Sequence, residues 1–493
     1  MSTFLPVVHL LGAIIALFGL AFLVPLGVAV GYGESADQSA LMVYGMPLAI
    51  SLVVGGVLYL ATLKTVRRAR RELQPRDGFL LVSLVWVVLP IFAMLPFLFY
   101  LPNLSLTDAY FEAVSGLTTT GATTLTDLDL LPASLHAWRA LTVWIGGMGV
   151  LVLAVAILPV LGVGGSQVFR AETPGPMKDS RLTPRIAETA KGLYGVYAGL
   201  SILCVLCLKW AGMSWFDAFC HGASILSLGG VSTHDASFGY FDSFAIEFVA
   251  MIFMTLAALN FATHFRAFRL RSLSAYARCP EARWTLFVLM LGSLVVASYL
   301  LRTGTYFEPW TALRYAFFNT VSVATTAGFA STDFSIWPEF APVFMLFLSC
   351  FSASAGSTGG GIKMIRAVLM FKQTAREMVR ILHPRVVNPL RLGSEIVDNK
   401  VVFSMLAFML IYGATIVTLT IAMLFTGLDV ITAFTAVISC VNNAGPGMNQ
   451  VGPATTFAVL SDAQSWICIV AMMLGRLELF TILVLFTPGF WRK

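Results

Sequence analysis

The sequence predicts an all-α polytopic membrane protein. An N-terminal helix hairpin precedes four repeats, each a span, a short pore half-helix, a glycine-bearing filter turn and a second span, set around a common axis. Three observations carry this expectation. Of 493 residues, 58% are hydrophobic and only 11% are charged, where a soluble domain is about 25% charged. The apolar residues fall into ten runs, most near the roughly 20 residues that a bilayer demands. Four connections between runs carry one short pattern that ends on glycine. The composition excludes a cytosolic enzyme and a disordered chain. The net charge of +6 is too small for a nucleic-acid binder, and seven scattered cysteines offer neither a disulfide framework nor a metal spacing.

Residues 1–70 read as a transmembrane hairpin with runs at 7–30 and 41–63. The first run lacks a basic flank and a small-residue cleavage site, so it reads as a span rather than a signal peptide. Repeat 1 occupies 71–165, with runs at 78–101 and 137–161. Repeat 2 occupies 185–270, with runs at 193–210 and 241–263. Repeat 3 occupies 283–385, with runs at 284–301 and 340–371. Repeat 4 occupies 395–493, with runs at 401–426 and 465–487. Basic residues crowd four connections: Lys64, Arg67, Arg68, Arg70, Arg71 and Arg76; Arg170, Lys178, Arg181 and Arg185; Arg266, Arg269, Arg271 and Arg278; Arg376, Arg380, Arg385 and Arg391. In a ten-span chain all four fall on one side, which the positive-inside rule makes cytoplasmic. Both termini then lie inside a bacterial-type plasma membrane.

The opposite connections align on their glycines. They read Ala109-Tyr110, Val114-Ser115 and Gly121; Ala218-Phe219, Ala223-Ser224 and Gly230; Ala316-Phe317, Val321-Ser322 and Gly328; Ala433-Phe434, Ile438-Ser439 and Gly445. Internal repetition at fixed offsets sets the architecture. A half-helix of about ten residues enters the membrane only part way, and its C-terminus carries the negative end of the helix dipole. Four such ends converging favour a cation. Beyond them the backbone is non-helical at membrane depth, which is tolerated only along a buried or water-filled path. Glycine reaches backbone angles closed to other residues, and a ring of carbonyls can replace the hydration shell of K⁺. No carboxylate sits inside the four turns, which speaks against a divalent-cation site. The common axis therefore reads as an ion pore.

Run 340–371 contains Ser352-Ala353-Ser354-Ala355-Gly356-Ser357-Thr358-Gly359-Gly360-Gly361. Each glycine costs a helix about 1 kcal/mol relative to alanine, so 352–363 should leave the helix and form either a movable constriction or a static kink. It is not a P-loop, because Ile362 and Lys363 follow Gly361. Arg476 stands about 12 residues from either end of run 465–487, near the midplane, where a charge is costly and by default functional. It reads as an electrostatic barrier in the pore or as the partner of a buried acid such as Glu247. Glu112 could brace the first filter from behind or stand solvated outside.

These residues resemble the Trk/Ktr/HKT potassium transporters. Phe111-Glu112-Ala113-Val114-Ser115-Gly116-Leu117-Thr118-Thr119-Thr120-Gly121-Ala122 looks like that family's first filter, and Asn442-Asn443-Ala444-Gly445-Pro446-Gly447 like its fourth. Gly356-Ser357-Thr358-Gly359-Gly360-Gly361-Ile362-Lys363 resembles the break in its third repeat. Leu474-Gly475-Arg476-Leu477-Glu478 and Phe486-Thr487-Pro488-Gly489-Phe490-Trp491-Arg492 resemble its last span and ending. The likeness spans essentially the whole chain, and the extra hairpin is that of the Trk branch. It implies K⁺ uptake, with the ion bound by carbonyls of Thr119, Thr120, Leu228, Gly229, Thr326, Ala327, Asn443 and Ala444 beside Gly121, Gly230, Gly328 and Gly445. It implies an intramembrane gating loop with Gly356, Gly359, Gly360, Gly361 and Lys363, and a pore role for Arg476. It also implies a homodimer with one pore in each protomer and a cytosolic, TrkA-like ring of nucleotide-binding regulatory subunits. In that family a serine at the first filter glycine accompanies Na⁺ transport, so Gly121 argues for K⁺. The sequence departs from the family at Met448-Asn449-Gln450, where a smaller, more glycine-rich stretch is usual. This bears on fine selectivity or external access.

Other motifs carry less. Cys204 and Cys207 form C-x-x-C inside a span, without the soluble strand–helix setting of a redox site. His221 and His234 flank the second filter and are candidates for an external pH response. No nucleophile–base pair, metal-ligand spacing or organic-cofactor motif supports an enzyme, and K⁺ as cargo is the ion implied. A Na⁺-permeable pore, or an H⁺- or Na⁺-coupled K⁺ symporter of the same fold, is the alternative. A rocking transporter would want two inverted halves, whereas these repeats number four and share one sense. The basic connections 165–188 and 379–399 are docking surfaces for the ring or anchors for membrane lipid.

Overall fold

Apolar length and broken backbone together shape the molecule. The computed structural model describes residues 4–34, 40–69, 74–156, 182–392 and 395–492. Arg70, Arg71 and most of connection 165–188, with Arg170, Lys178 and Arg181, lie outside the described residues, as do the last residues of run 137–161. Among those described, six straight helices are long and apolar enough to cross a bilayer: Leu5–Gly31, Leu41–Val66, Arg76–Tyr100, Ala190–Ala211, Pro280–Arg302 and Asn399–Phe425. The second span of repeat 1 is the helix Ala133–Ala156.

The second spans of repeats 2, 3 and 4 are all broken, where the sequence suggested a break only in repeat 3. In repeat 2 the helix Phe244–Ala258 meets Phe261–Leu270 at 99°. Leu259 is extended, and the Asn260 side chain accepts the Ala262 N–H at 2.8 Å, so a new helix starts at once. In repeat 4, Asp462–Arg476 meets Phe480–Phe486 at 102°, through Glu478 and Leu479 at φ of +51° and +55°. In repeat 3, Phe340–Ser349 and Met364–Leu382 flank an irregular segment. A broken helix at membrane depth needs partners for its freed backbone groups. The breaks of repeats 2 and 3 supply them to each other. Ser354 N–H donates to Ala258 O (2.8 Å), Thr358 N–H to Ala257 O (3.4 Å), and Phe261 N–H to Gly356 O (3.1 Å).

The N-terminal hairpin closes on small residues. A methyl on Gly12 would stand 2.8 Å from Gly55 O, and one on Gly55 would stand 2.6 Å from Ala16 N. Its Phe22 ring stacks on Trp138 of repeat 1, with centroids 4.4 Å apart. Polarity is inverted relative to a soluble fold. Leu17, Val53, Val57 and Leu60 are exposed, as lipid-facing residues should be, while Thr120, Thr320, Ser322, Ser439 and Asn442 are fully buried near the axis. Segment 379–399 on the basic side holds a two-stranded antiparallel ribbon, Arg391–Leu392 with Glu395–Ile396, in which Arg391 pairs with Ile396 and Leu392 with Glu395.

Candidate ion filter and gate

The four half-helices are Leu106–Leu117, Trp215–Ser227, Pro309–Ala324 and Val430–Asn442. Three carry a side-chain N-cap. Ser105 Oγ accepts the Asp108 N–H (3.0 Å), Ser214 Oγ the Asp217 N–H (3.0 Å) and Asp429 the Thr432 N–H (2.9 Å). The other starts on Pro309, a residue with no N–H to leave unpaired. All four end alike. The N–H groups of Thr120, Gly229, Ala327 and Ala444 reach back to the carbonyls of Ser115, Ser224, Ser322 and Ser439 at 2.9, 2.9, 2.8 and 2.9 Å. This is the six-to-one closure that needs a left-handed residue just past the helix. That residue is Thr119, Leu228, Thr326 or Asn443, with φ of 55°, 54°, 66° and 54°. Such angles are uncommon outside glycine, most of all for a bulky side chain.

Two residues on, Gly121, Gly230, Gly328 and Gly445 are again left-handed, with φ of 79°, 65°, 80° and 89°. Their missing side chains define a ring. A methyl on Gly121 would lie 2.4 Å from Gly229 O, one on Gly230 2.6 Å from Ala327 O, one on Gly328 2.5 Å from Ala444 O, and one on Gly445 2.8 Å from Thr120 O. Each repeat thus abuts the next, and the fourth abuts the first. A cavity of about 120 Å³ is lined by all four glycines.

Side chains behind the ring hold it. Ser224 Oγ accepts the Val231 N–H (2.8 Å), while Ser322 Oγ donates to Phe329 O (2.7 Å) and Ser439 Oγ to Gly445 O (2.8 Å). Asn443 Nδ2 donates to Thr120 Oγ1 (3.0 Å), joining the fourth turn to the first. Glu112 is buried and braces the first turn. It accepts from Arg139 Nε (2.9 Å) and Thr123 Oγ1 (2.8 Å), and Arg139 also donates to Ser232 O (3.2 Å) in the second turn. Glu247 is held by Arg314 (2.8 Å) and is not the partner of Arg476.

The glycine-rich segment of repeat 3 packs beneath the ring. Gly360 N–H donates to Thr326 Oγ1 (3.0 Å) and Thr358 Oγ1 to Leu226 O (3.0 Å). A methyl on Gly360 would stand 1.8 Å from Asn442 O. The segment therefore touches the ends of the second, third and fourth half-helices. Gly361 is left-handed at φ +76° and abuts Cys350 O; Gly359 abuts Thr325 O. The buried Lys363 ammonium donates to Gly359 O. Gly356 stands apart, docked on the break of repeat 2. Arg476 is not in the middle of a helix: it is the last residue before the repeat 4 break. It is buried, and donates to Thr358 O (2.9 Å) in the glycine-rich segment and to Gly146 O (3.1 Å) in repeat 1. Glu478 turns back to pair with Arg366.

The sequence did not single out Arg139 or Arg314, and although it named Thr119, Leu228, Thr326 and Asn443 as ligands it did not anticipate their left-handed backbone. The first two had a signal, since a charge inside an apolar segment implies a partner. His221 is buried, with Nδ1 donating to Asp217 O (2.9 Å) and Nε2 3.0 Å from Ser232 Oγ. It is a brace rather than an external sensor. His234 does line the cavity, with Nδ1 2.5 Å from Asp129 and Nε2 3.5 Å from Asp217. Partial burial raises the Asp129 carboxyl, but the His234 ring and the Asp235 N–H outweigh it and hold the group below its ordinary range. Met448 packs into the core of repeat 3. Asn449 and Gln450 each donate to Asp429 at 3.1 Å, so the departure at 448–450 secures a loop at the start of the fourth half-helix and is absent from the cavity wall.

A family model described as "TrkH: Cation transport protein" matches residues 47–493. The Trk system potassium uptake protein TrkH of Vibrio parahaemolyticus is 44% identical, over 99% of this chain and 100% of its own length. Its counterpart from Escherichia coli K12 is 42% identical over the same shares. The crystal structure of the potassium transporter TrkH from Vibrio parahaemolyticus superposes with a TM-score of 0.90 at 42% identity, covering 99% of this chain and 100% of that one. Four half-helices around a closed glycine ring, with a glycine-rich segment beneath, thus belong to a chain of the TrkH cation transport family.

Proposed function

We propose that this protein carries K⁺ into the cell across a bacterial inner membrane, through a filter of backbone carbonyls at the four-repeat axis. The ligands are the carbonyls of Thr119, Thr120, Leu228, Gly229, Thr326, Ala327, Asn443 and Ala444. The observation that carries this reading is the closed ring, in which each filter glycine abuts the carbonyl of the next repeat. Negative helix ends converge there, and carbonyls can replace the water around a desolvated monovalent cation. The segment 352–363 is the gate, since it occupies the space under three half-helix ends. Arg476 ties that gate across to repeat 1 and opposes a cation in the pathway. Both termini lie in the cytoplasm, the protein works as a homodimer, and a nucleotide-binding ring acts on the basic face carrying Arg380, Arg385 and Arg391.

Cation flux into proteoliposomes tests the filter, with K⁺, Rb⁺, Na⁺ and Li⁺ gradients compared. K⁺ and Rb⁺ should pass well ahead of Na⁺, and Gly121→Ser should erase the preference, because its side chain displaces Gly229 O. Equal passage of Na⁺ in the unmodified protein would remove the carbonyl ring as the source of selectivity. Flux that tracks an imposed proton gradient would replace the channel with a coupled symporter.

A further inference from the structure

We propose that Glu281 is a positioning residue of the gate, its carboxylate clasping both ends of the gating loop and holding the loop under the filter. This rests on reading 352–363 as the gate. Glu281 lies in the first turn of Pro280–Arg302, the first span of repeat 3, and is only 5% exposed. Its Oε1 accepts the Ala355 N–H at 2.6 Å and the Ile365 N–H at 3.3 Å. These donors stand on either side of the glycines that approach the filter, so one oxygen atom draws the two ends together. The second donor has a particular need. Ile365 is in the first turn of Met364–Leu382, whose own N-cap, Lys363, has φ +80° and provides no side-chain acceptor. The first N–H groups of a helix have no partner within it. Glu281 supplies an acceptor from another helix, and the anion also suits that helix terminus.

The clasp adds to the contacts already described. Ser354 and Gly356 hang the start of the loop on the repeat 2 break, and Arg476 holds Thr358. Glu281 joins the start of the loop to the helix that follows it, beside the Met364 N–H on Ala353 O at 2.8 Å. Opening the loop while Met364–Leu382 stays in place requires the bond to Ala355 or the bond to Ile365 to part. Loss of the clasp therefore favours the open arrangement and leaves the ring of filter glycines untouched.

Rb⁺ and Na⁺ flux are measured in proteoliposomes of the full chain, unmodified and with Glu281→Ala, Glu281→Gln, or a deletion of residues 357–361. Glu281→Ala should raise basal Rb⁺ flux about ten-fold or more, the weight of one charge-assisted hydrogen bond, with the Rb⁺/Na⁺ ratio unchanged. Glu281→Gln keeps an accepting oxygen but loses the charge, and should give about three-fold, since charged bonds are roughly twice as strong as neutral ones. If the alanine protein does not fold, the glutamine protein decides. Flux at or below the unmodified level in both variants, while the deletion raises it, overturns the clasp and leaves the gate standing. No rise in the deletion either overturns the gate and the clasp together. A rise accompanied by loss of the Rb⁺/Na⁺ ratio also overturns the proposal, since the filter itself has then been disturbed.

Discussion

At Gly360 one hydrogen atom separates a fitted loop from a collision. A methyl there would stand 1.8 Å from Asn442 O, against rigid backbone at the end of the fourth half-helix. Gly360→Ala must shift the loop away from the filter, so basal K⁺ flux should rise and thermal stability should fall. An unchanged melting temperature with unchanged flux would mean that the loop is not seated against that carbonyl. Arg476 acts on the same loop through Thr358 O and on repeat 1 through Gly146 O. Arg476→Gln removes the charge and shortens the reach. It should raise K⁺ flux in proteoliposomes holding this chain alone, and a flux below the unmodified level would remove the barrier role. The left-handed angles at Thr119, Leu228 and Thr326 were not legible in the residues, because nothing in threonine or leucine announces them. They follow from the way the helix end closes on the serine carbonyl. The glycines two positions on were legible, since their spacing repeats four times.

Among elements, the half-helices are held by side chains of other elements as well as by their own caps. Arg139 lies in the second span of repeat 1 and ties Glu112 of the first half-helix to Ser232 O of the second filter. Both partners of the ion pair are almost wholly buried. Truncating one member of a buried pair typically costs about 3–5 kcal/mol, so Arg139→Ala should lower the melting temperature sharply. Arg139→Lys should recover only part, since a lysine lacks the guanidinium's fork of donors. Equal stability of the alanine protein would show that the brace is idle. Asp429 caps the fourth half-helix. The Thr432 N–H, with partial burial opposing it and the Thr432 and Asn449 side chains assisting, holds its carboxyl below 3.8. A carboxylate whose folded pKa is lowered stabilises fully above its unfolded value and loses that contribution as pH falls through the folded one. The stability gap between the unmodified protein and Asp429→Asn should be constant above about pH 5 and shrink in more acid solution. A gap that is flat into that range would take the capping charge out of the account.

For the whole molecule, the repeats close a ring in which each filter glycine abuts a carbonyl of the next repeat, inside an outer surface of exposed hydrocarbon. Converging carbonyls repel one another unless a cation lies among them, and a ligand that binds only the folded state stabilises it by mass action. K⁺ or Rb⁺ should therefore raise the melting temperature of the purified protein in a concentration-dependent way. Na⁺, Li⁺ and an organic cation at equal ionic strength should not. Equal shifts from all salts would reduce the effect to screening and count against a selective site.

Periodicity and composition by themselves determined the membrane-spanning class and the placing of a glycine in each of the four turns. These are local properties, set by run length, by charge placement and by the single residue type that tolerates the required backbone angle. Only the tertiary structure decided the breaks in repeats 2 and 4, the seat of Arg476 at one of them, and the exclusion of Met448-Asn449-Gln450 from the pore wall. The first two share one physical reason. A break in a membrane helix survives only if another segment satisfies its freed backbone groups. The partners of these breaks lie far apart in the chain: Gly356 O takes the Phe261 N–H in repeat 2, and Arg476 at the repeat 4 break reaches Thr358 O and Gly146 O, contacts that form only when the repeats pack.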